Sequence, residues 1–202
     1  MTDPKWIGCH SNNFWVGREG QKVSLIVLHW ISGTLDSCDK TFQDGRRQAS
    51  AHYGICQTEV HQYVKESDTA YHAGVWEINT QSISIEHEGG PSLPITEAVY
   101  KQSCELVADI CKRYNIPCDS DHIKRHRDYR ATQCPGTLDV ERIIREANVL
   151  LTKPQEITDQ TKINIGGEFG VLEVQAIRSK LQDLLRDLKT ATEEKTKTSQ
   201  IL

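Results

Sequence analysis

The sequence lacks three features that would each indicate a class of protein. Its 202 residues contain no apolar run of about 18 residues, the length that a helix needs to cross a bilayer. The formal net charge is −4, so no broad basic surface is available for a polynucleotide. The first residues, MTDPKWIGCHSNNFW, lack the apolar core of a signal peptide. We therefore expect no membrane span, no nucleic-acid partner, and synthesis in the cytoplasm of the producing cell.

Cysteines are present, but no two of the seven have the CxxC spacing that is common in structural zinc sites. Their number is odd, and a protein made in the cytoplasm is expected to keep its thiols reduced. Most are therefore interpreted as small buried side chains. Cys134 differs, because it follows the polar and charged segment KRHRDYRATQ and directly precedes Pro-Gly. A thiol in that position indicates a role other than packing.

Hydrophobic patterns predict an α/β domain. Continuous or alternating apolar runs are typical of strands, and two short runs on either side of Thr58-Glu59 are typical of a β-hairpin. The predicted strands are SLIVLHW (24–30), AHYGICQ (51–57), VHQYVKE (60–66) and SISIEHE (82–88). Helical spacing of apolar residues predicts helices within residues 34–48, from Thr96 to Asn115, and from about Asp139 to Leu151. Residues 68–80 are expected to form an exposed loop.

Three side chains at the ends of elements or in loops form a candidate metal site: His29, His126 and Cys134. Imidazole and thiolate are good ligands of Zn²⁺, and three protein ligands leave the fourth position open, as in catalytic zinc sites. Pro135 and Gly136 are expected to fix a turn that aims the sulfur. The spacing alone does not separate this site from ordinary histidines and a packing thiol. An alternative is a cysteine hydrolase, with Cys134 as nucleophile and His126 or His29 as base.

Five segments, taken in order, resemble the type-2 zinc-dependent N-acetylmuramoyl-L-alanine amidases. They are LHW (28–30), SAHY (50–53), AYHAG (70–74), SISIEHEGG (82–90) and HRDYRATQCPG (126–136). That family includes phage endolysins and is related to the peptidoglycan recognition proteins. The resemblance covers about residues 5–150. It implies an α/β fold with a central mixed β-sheet flanked by helices, and a zinc ion in a groove on one side.

The resemblance also implies roles for individual residues. His29, His126 and Cys134 match the three zinc ligands of the family, and the presence of the thiolate favours hydrolysis over recognition alone. Glu86 matches a general base, and Glu88 is the competing carboxylate, two residues further along the same strand. Both carboxylates would lie on one face of a regular strand.

Four other positions complete the comparison with the family. Thr132 stands where many relatives have a lysine that steadies the oxyanion, and its hydroxyl is expected to assist there. Ala51 stands where another branch has a tyrosine linked to proton transfer, which leaves that task to Glu86. His72, in AYHAG, matches a residue of the groove and is expected to contact substrate, whereas His52 is expected to be structural.

The implied activity is hydrolysis of the amide bond between N-acetylmuramic acid and L-alanine in bacterial peptidoglycan, with Zn²⁺ as cofactor. A phage or prophage endolysin fits an enzyme that is made without a signal peptide and acts on the cell wall after release. The alternatives are a cytosolic amidase that recycles wall fragments, a module that binds peptidoglycan without cutting it, and a regulatory protein with a structural zinc ion.

The composition changes after the predicted amidase domain, residues 1–151. Residues 152–170 are polar, hold a proline and three glycines, and are interpreted as a linker. Residues 171–202 are predicted to form a C-terminal helical extension with about two heptads of apolar residues. These residues are Val174, Ile177, Leu181, Leu184 and Leu188. The extension is interpreted either as a wall-binding or oligomerising appendage, which would give a homo-oligomer, or as a helix that packs on the amidase domain.

Overall fold

The computed structural model describes residues 3–152, 179–184 and 186. The chain divides into two units, Met1–Pro154 and Gln155–Leu202. Thr152, expected to begin the linker, is the last residue of a helix, and the rest of that predicted linker lies outside the described residues. In the second unit residues 179–184 are helical, and Leu181 and Leu184 are exposed. The other three heptad residues, Val174, Ile177 and Leu188, lie outside the described residues, so the extension stays a prediction.

Residues 3–152 fold into eight strands and four α-helices. The strands are β1 (Lys5–Trp6), β2 (Phe14–Trp15), β3 (Leu25–Trp30), β4 (Tyr53–Ile55), β5 (Val60–Gln62), β6 (Thr69–Ala70), β7 (Ser82–His87) and β8 (Ile123–Arg125). The helices are α1 (Leu35–Gln43), α2 (Trp76–Gln81), α3 (Glu97–Tyr114) and α4 (Val140–Thr152). Within the described part of the chain, no helix combines the length and apolar character needed to cross a bilayer.

Six strands form one mixed sheet in the order β1-β5-β4-β7-β3-β8. Strand β3, which lies beside the edge strand β8, runs parallel to β7 and to β8, and β4 runs parallel to β7 but antiparallel to β5. Strands β2 and β6 form a separate antiparallel pair. With helices packed against the sheet, this is the predicted fold class, and the predicted hairpin is the β4–β5 pair.

The two faces of the sheet differ in chemistry. On β7, Ile83 and Ile85 belong to the main hydrophobic core with α3 and α4, and the alternating residues Ser82, Ser84 and Glu86 lie on the other face. The two serines are 0% exposed, so this polar face is also buried. A buried polar face requires hydrogen-bond partners, and it supplies the interior of the candidate site.

Predicted helix boundaries agree with the structure because the capping chemistry is local. The Thr96 side chain accepts a hydrogen bond from the Val99 N–H at the start of α3. At the other end Asn115 adopts a left-handed conformation with φ of 54°, which ends the helix. Helix α4 begins at Val140, one residue after the predicted start.

The prediction of an exposed loop over residues 68–80 is wrong. The segment contains β6 and α2, and Thr69, Ala70, His72 and Ala73 are buried. The Asn79 side-chain oxygen accepts hydrogen bonds from the backbone N–H groups of His72 (3.3 Å) and Ala73 (2.8 Å). Because these backbone groups have protein partners, the segment can leave water without a large desolvation cost.

Candidate active site

The three candidate metal ligands come together at one edge of the sheet. His29 lies near the end of β3, and His126 begins the 3₁₀ turn that follows β8. Because β3 and β8 are neighbouring parallel strands, residues at their carboxyl ends lie close together. Cys134 lies in the loop before α4. One ligand atom from each residue can be chosen so that all three lie within 4.8 Å of one another.

The distances and the donor types fit a zinc ion. The Cys134 Sγ lies 3.6 Å from the His29 Nδ1, and the ring centroids of His29 and His126 are 4.6 Å apart. Tetrahedral zinc with ordinary bond lengths holds its nitrogen and sulfur ligands about 3.3–3.8 Å from one another. Two imidazoles and one thiol are also a ligand set that zinc prefers. The site can therefore accept Zn²⁺ with only small movements.

The loop that carries Cys134 is held by many hydrogen bonds. The Cys134–Pro135 peptide bond is cis, and the Gly136 N–H donates to the Gln133 carbonyl at 2.7 Å, which closes the predicted turn. The Arg127 guanidinium donates to the carbonyls of Gln133, Cys134 and Gly136. The Trp30 N–H points to the Cys134 sulfur at 3.4 Å. The backbone thus sets the position of the sulfur.

Burial controls the protonation of the candidate ligands. The pKa of His29 is held well below its ordinary value by burial and by the nearby rings of His126 and His87, so the imidazole is neutral and can bind a metal ion. Burial, with the nearby charge of Glu86, raises the pKa of the Cys134 thiol to about 12. The thiol therefore keeps its proton at neutral pH unless a cation is bound beside it.

Glu86 lies beside His29 on the adjacent strand. The two residues are partners in the parallel register of β3 and β7, so their side chains leave the same face of the sheet. Burial raises the pKa of Glu86 to about 8, and its Oε2 is a buried atom with no hydrogen-bond partner among the described residues. The competing carboxylate, Glu88, accepts a hydrogen bond from the Leu35 N–H at the start of α1. Of the two carboxylates, Glu86 is therefore the one whose oxygen is available to accept a proton.

A cavity of about 370 Å³ opens beside the candidate ligands. Its lining includes His72, His126, Thr132 and Arg130. The Thr132 Oγ1 accepts a hydrogen bond from the Cys134 N–H at 3.2 Å, so the hydroxyl hydrogen is free to be donated elsewhere. The cavity therefore brings a hydroxyl donor and the candidate metal site to the same space.

The two other histidines of the sequence analysis are both buried. His72 reaches the cavity wall, but both of its ring nitrogens have protein partners, His29 Nε2 at 3.1 Å and Ser82 Oγ at 2.9 Å. His52 is 0% exposed and contacts Arg18 and Ser84 through its ring nitrogens. The interpretation of His52 as structural agrees with these contacts. The role of His72 at the substrate stays a prediction. Its contact with His29 indicates that it also orients a candidate metal ligand.

Sequence reasoning missed three residues that surround the candidate ligands. Ser82 contacts His72, Asn79 holds the backbone of residues 72 and 73, and the backbone of Ala73 faces the His126 ring. The polar positions of the alternating strand SISIEHE were a signal for Ser82. A contact through the Ala73 backbone leaves no signal in a single sequence.

Comparison with known proteins identifies the family. Residues 19–137, more than half of the chain, match the Amidase_2 family of N-acetylmuramoyl-L-alanine amidases. Two curated relatives from Bacillus licheniformis are a probable N-acetylmuramoyl-L-alanine amidase, 29% identical over 138 residues, and the amidase CwlL, 33% identical over 132 residues. These alignments cover 58% and 56% of this chain but 38% and 36% of the relatives.

A solved structure shows the same fold. The mutant endolysin from Bacillus subtilis has a TM-score of 0.62 and 15% sequence identity, over 73% of this chain and 99% of that one. At this identity the likeness concerns the fold alone. The family match covers β3, the hairpin, β7 and all three candidate ligands. The chain therefore belongs to the Amidase_2 family of N-acetylmuramoyl-L-alanine amidases.

Proposed function

We propose that the protein is a zinc-dependent hydrolase that cleaves the amide bond between N-acetylmuramic acid and L-alanine in bacterial peptidoglycan. The observation that carries the proposal is the convergence of His29, His126 and Cys134 beside an open cavity, in a chain of the amidase family. A bound zinc ion would act there as a Lewis acid and would lower the pKa of water to about 7.

The residues around the ion divide the remaining chemistry. Glu86 takes a proton from the attacking water and later gives it to the leaving amine of L-alanine. Its raised pKa, about 8, suits a group that must both accept and donate a proton near neutral pH. The Thr132 hydroxyl donates to the carbonyl oxygen as negative charge develops on it. One such donor is worth about 3–4 kcal/mol of transition-state stabilisation when it is well placed.

The other activities considered from the sequence have less support. A cysteine hydrolase needs a thiolate, but the pKa of Cys134 is raised to about 12 by burial. A purely structural zinc site needs a fourth protein ligand, and the candidate group found among the described residues contains three. A module that only binds peptidoglycan has no need of Glu86 as a buried carboxyl with an unpaired oxygen.

The biological setting is proposed from the relatives. A structure of similar fold is described as an endolysin, and we infer the same use here, with release of the enzyme onto the cell wall. A cytosolic amidase that recycles wall fragments is the alternative. Assays of the purified protein on intact cell walls and on soluble muropeptides separate the two, since an endolysin must cleave the polymer.

The C-terminal segment is proposed to mediate self-association. In the helical residues 179–184, Leu181 and Leu184 are 55% and 61% exposed, which leaves an apolar pair available for a partner. Replacing both leucines by glutamate in the full chain should lower the sedimentation coefficient if the protein is a homo-oligomer. An unchanged coefficient at high protein concentration would leave wall binding or packing as the use of this segment.

The central experiment is a metal-dependence assay. The purified protein should contain about one zinc per chain, and it should release new amino groups from peptidoglycan, with mass spectrometry locating the cut between muramic acid and L-alanine. Treatment with a chelator should abolish the reaction, and added zinc should restore it. Cleavage that continues after complete removal of the metal would exclude the proposed chemistry.

A further inference from the structure

A chain of hydrogen bonds runs away from the candidate metal site through His72. The His29 Nε2 lies 3.1 Å from the His72 Nδ1, and the His72 Nε2 lies 2.9 Å from the Ser82 Oγ. The Ser82 hydroxyl donates to the backbone carbonyl of Ile78 at 2.6 Å. All three side chains are buried, and Ser82 is 0% exposed, so water does not compete for these bonds.

The positions of the hydrogens in this series of hydrogen bonds follow from its last acceptor, the backbone carbonyl of Ile78. The Ile78 carbonyl can only accept, so the single hydroxyl hydrogen of Ser82 points to it. The Ser82 oxygen must then accept a hydrogen from the His72 Nε2. A neutral imidazole has one N–H, and neither His72 nor His29 hydrogen-bonds to a carboxylate in the described structure. The His72 Nδ1 is therefore an acceptor, and the His29 Nε2 donates to it.

This order of donors leaves one nitrogen of His29 without a hydrogen. That nitrogen is Nδ1, and it is the atom that lies 3.6 Å from the Cys134 sulfur. The lone pair of His29 Nδ1 therefore points into the space between the candidate ligands. A metal ion that enters this space meets a ligand already in the required tautomer.

The same segment also contacts the second candidate imidazole. The backbone of Ala73, the residue after His72, faces the His126 ring. The Asn79 side-chain oxygen accepts from the N–H groups of both His72 and Ala73, which fixes the segment on α2. Two adjacent residues of one buried segment thus restrain both histidines of the site.

We propose that His72 is a positioning residue for the metal site, acting through the tautomer of His29. The proposal rests on the proposed zinc ligands, but not on the amide bond that is cleaved. Loss of the His72 acceptor would let the His29 proton move to Nδ1, where it can donate to Cys134. A metal ion would then have to displace that proton. Hydrogen-bond partners behind metal-binding histidines typically change metal affinity by about 10–100-fold.

The test compares His72→Leu with His72→Asn. Leucine removes the acceptor, whereas the asparagine side-chain oxygen falls near the position of the histidine Nδ1 and can still accept from His29. We expect zinc affinity, measured by competition with a chromophoric chelator, to fall about 10–100-fold in His72→Leu. In His72→Asn it should stay within a few-fold of the parent. His122→Leu is the matched control, because His122 is a partly exposed histidine outside the candidate ligand group and its ring contacts Asp119.

A second measurement reads the tautomer directly and does not depend on activity. In the metal-free parent protein, two-bond ¹⁵N–¹H correlation spectra should show the His29 hydrogen on Nε2. In His72→Leu the hydrogen should shift wholly or partly to Nδ1. Thermal unfolding of each variant checks that the fold is kept. Should His72→Leu not fold, the spectrum of the parent and the zinc affinity of His72→Asn still decide the question.

Several results would overturn the proposal. A His29 hydrogen on Nδ1 in the metal-free parent would contradict the hydrogen-bond order. Unchanged zinc affinity in a folded His72→Leu, or an equal loss in His72→Leu and His72→Asn, would show that the acceptor does not matter. A parent protein that binds zinc but cuts no peptidoglycan would refute the proposed function and leave this inference standing.

Discussion

The Cys134 sulfur lies 3.6 Å from the His29 Nδ1, although 105 positions separate the two residues along the chain. His29 is placed by the interior strand β3, and Cys134 by a loop that the Arg127 guanidinium holds. An unfolded chain cannot keep these atoms together, so a metal ion bound by both must stabilise the folded state. Metal binding and folding stability are therefore expected to be coupled in this protein.

Replacement of Cys134 by alanine should uncouple zinc from stability. For the parent protein, each tenfold rise in free zinc above the dissociation constant should increase the free energy of unfolding by about 1.4 kcal/mol. This increase should raise the melting temperature by about 3–6 °C. The melting temperature of the Cys134→Ala variant should hardly change with zinc concentration, and the variant should have no amidase activity. Cys56→Ala is the control, since this thiol contacts Thr58 and is not part of the candidate ligand group. Scanning calorimetry against zinc concentration measures the effect, and a zinc-dependent rise that persists in Cys134→Ala would remove this residue from the ligand set.

Replacement of Glu86 by glutamine should separate metal binding from turnover. Glutamine keeps the size of the side chain but cannot accept a proton, so kcat is expected to fall by about 10²–10⁴-fold while zinc content stays at one per chain. Glu88→Gln is the matched control, because the Glu88 carboxylate accepts a hydrogen bond from the Leu35 N–H at the start of α1. Its kcat should change by less than about tenfold. Full activity in Glu86→Gln, or a large loss only in Glu88→Gln, would reverse the assignment of the base.

The turn after Cys134 depends on Gly136. This glycine has φ of 62°, and a Cβ added to it would lie 2.3 Å from the ring of Trp30. Gly136→Ala must therefore move the loop or the indole, and we expect a loss of zinc affinity together with a loss of stability. Gly20 is the control, because it has φ of 80° and no atom of the described residues lies within 4 Å of an added Cβ.

The comparison of the two alanine variants separates backbone strain from crowding. Gly20→Ala should cost about 1–2 kcal/mol of unfolding free energy through its left-handed conformation alone and should bind zinc normally. Gly136→Ala should cost more than Gly20→Ala in urea unfolding. Normal zinc affinity in Gly136→Ala would show that the Cys134 sulfur is placed independently of this turn.

Stability toward acid should depend on Glu66. Burial would raise the pKa of Glu66, but hydrogen bonds and charge from Arg113, with the hydroxyls of Tyr53 and Tyr114, hold it below its ordinary value of 4.5. A carboxylate with a lowered pKa in the folded state stabilises the protein above its ordinary pKa, and this contribution is lost as the pH falls through the folded-state value. Glu66→Gln should therefore cost about 1–3 kcal/mol at pH 7, and the difference from the parent should shrink below about pH 4.

Urea unfolding between pH 3 and pH 7 measures this difference. Glu97→Gln is the control, because Glu97 pairs with Arg142 while its side chain is 81% exposed. Water and salt screen an exposed pair of this kind, so we expect Glu97→Gln to change the free energy of unfolding little at any pH. A gap between Glu66→Gln and the parent that stays constant with pH would contradict the assigned role of this carboxylate.

Local chemistry in the sequence determined much of the fold. The apolar run 25–30, the hairpin around Thr58-Glu59, and the helix capped by Thr96 and ended by Asn115 are present as predicted. Each depends on periodicity or capping within a few residues, which a single sequence displays. The segment 68–80 was mispredicted as an exposed loop, because its burial depends on contacts with Asn79 and with β2, and neither contact has a local pattern.

The candidate site divides in the same way. The motifs that contain His29, His126, Cys134 and Glu86 identified the family from the sequence alone, and the types of these residues predict the chemistry. Only the tertiary structure decided how they meet: β3 lies between β7 and β8, which puts Glu86 and His126 on the two sides of His29. The tautomer of His29 was also beyond the sequence, because it follows from hydrogen bonds between side chains on separate elements, and their distances exist only after the sheet has formed.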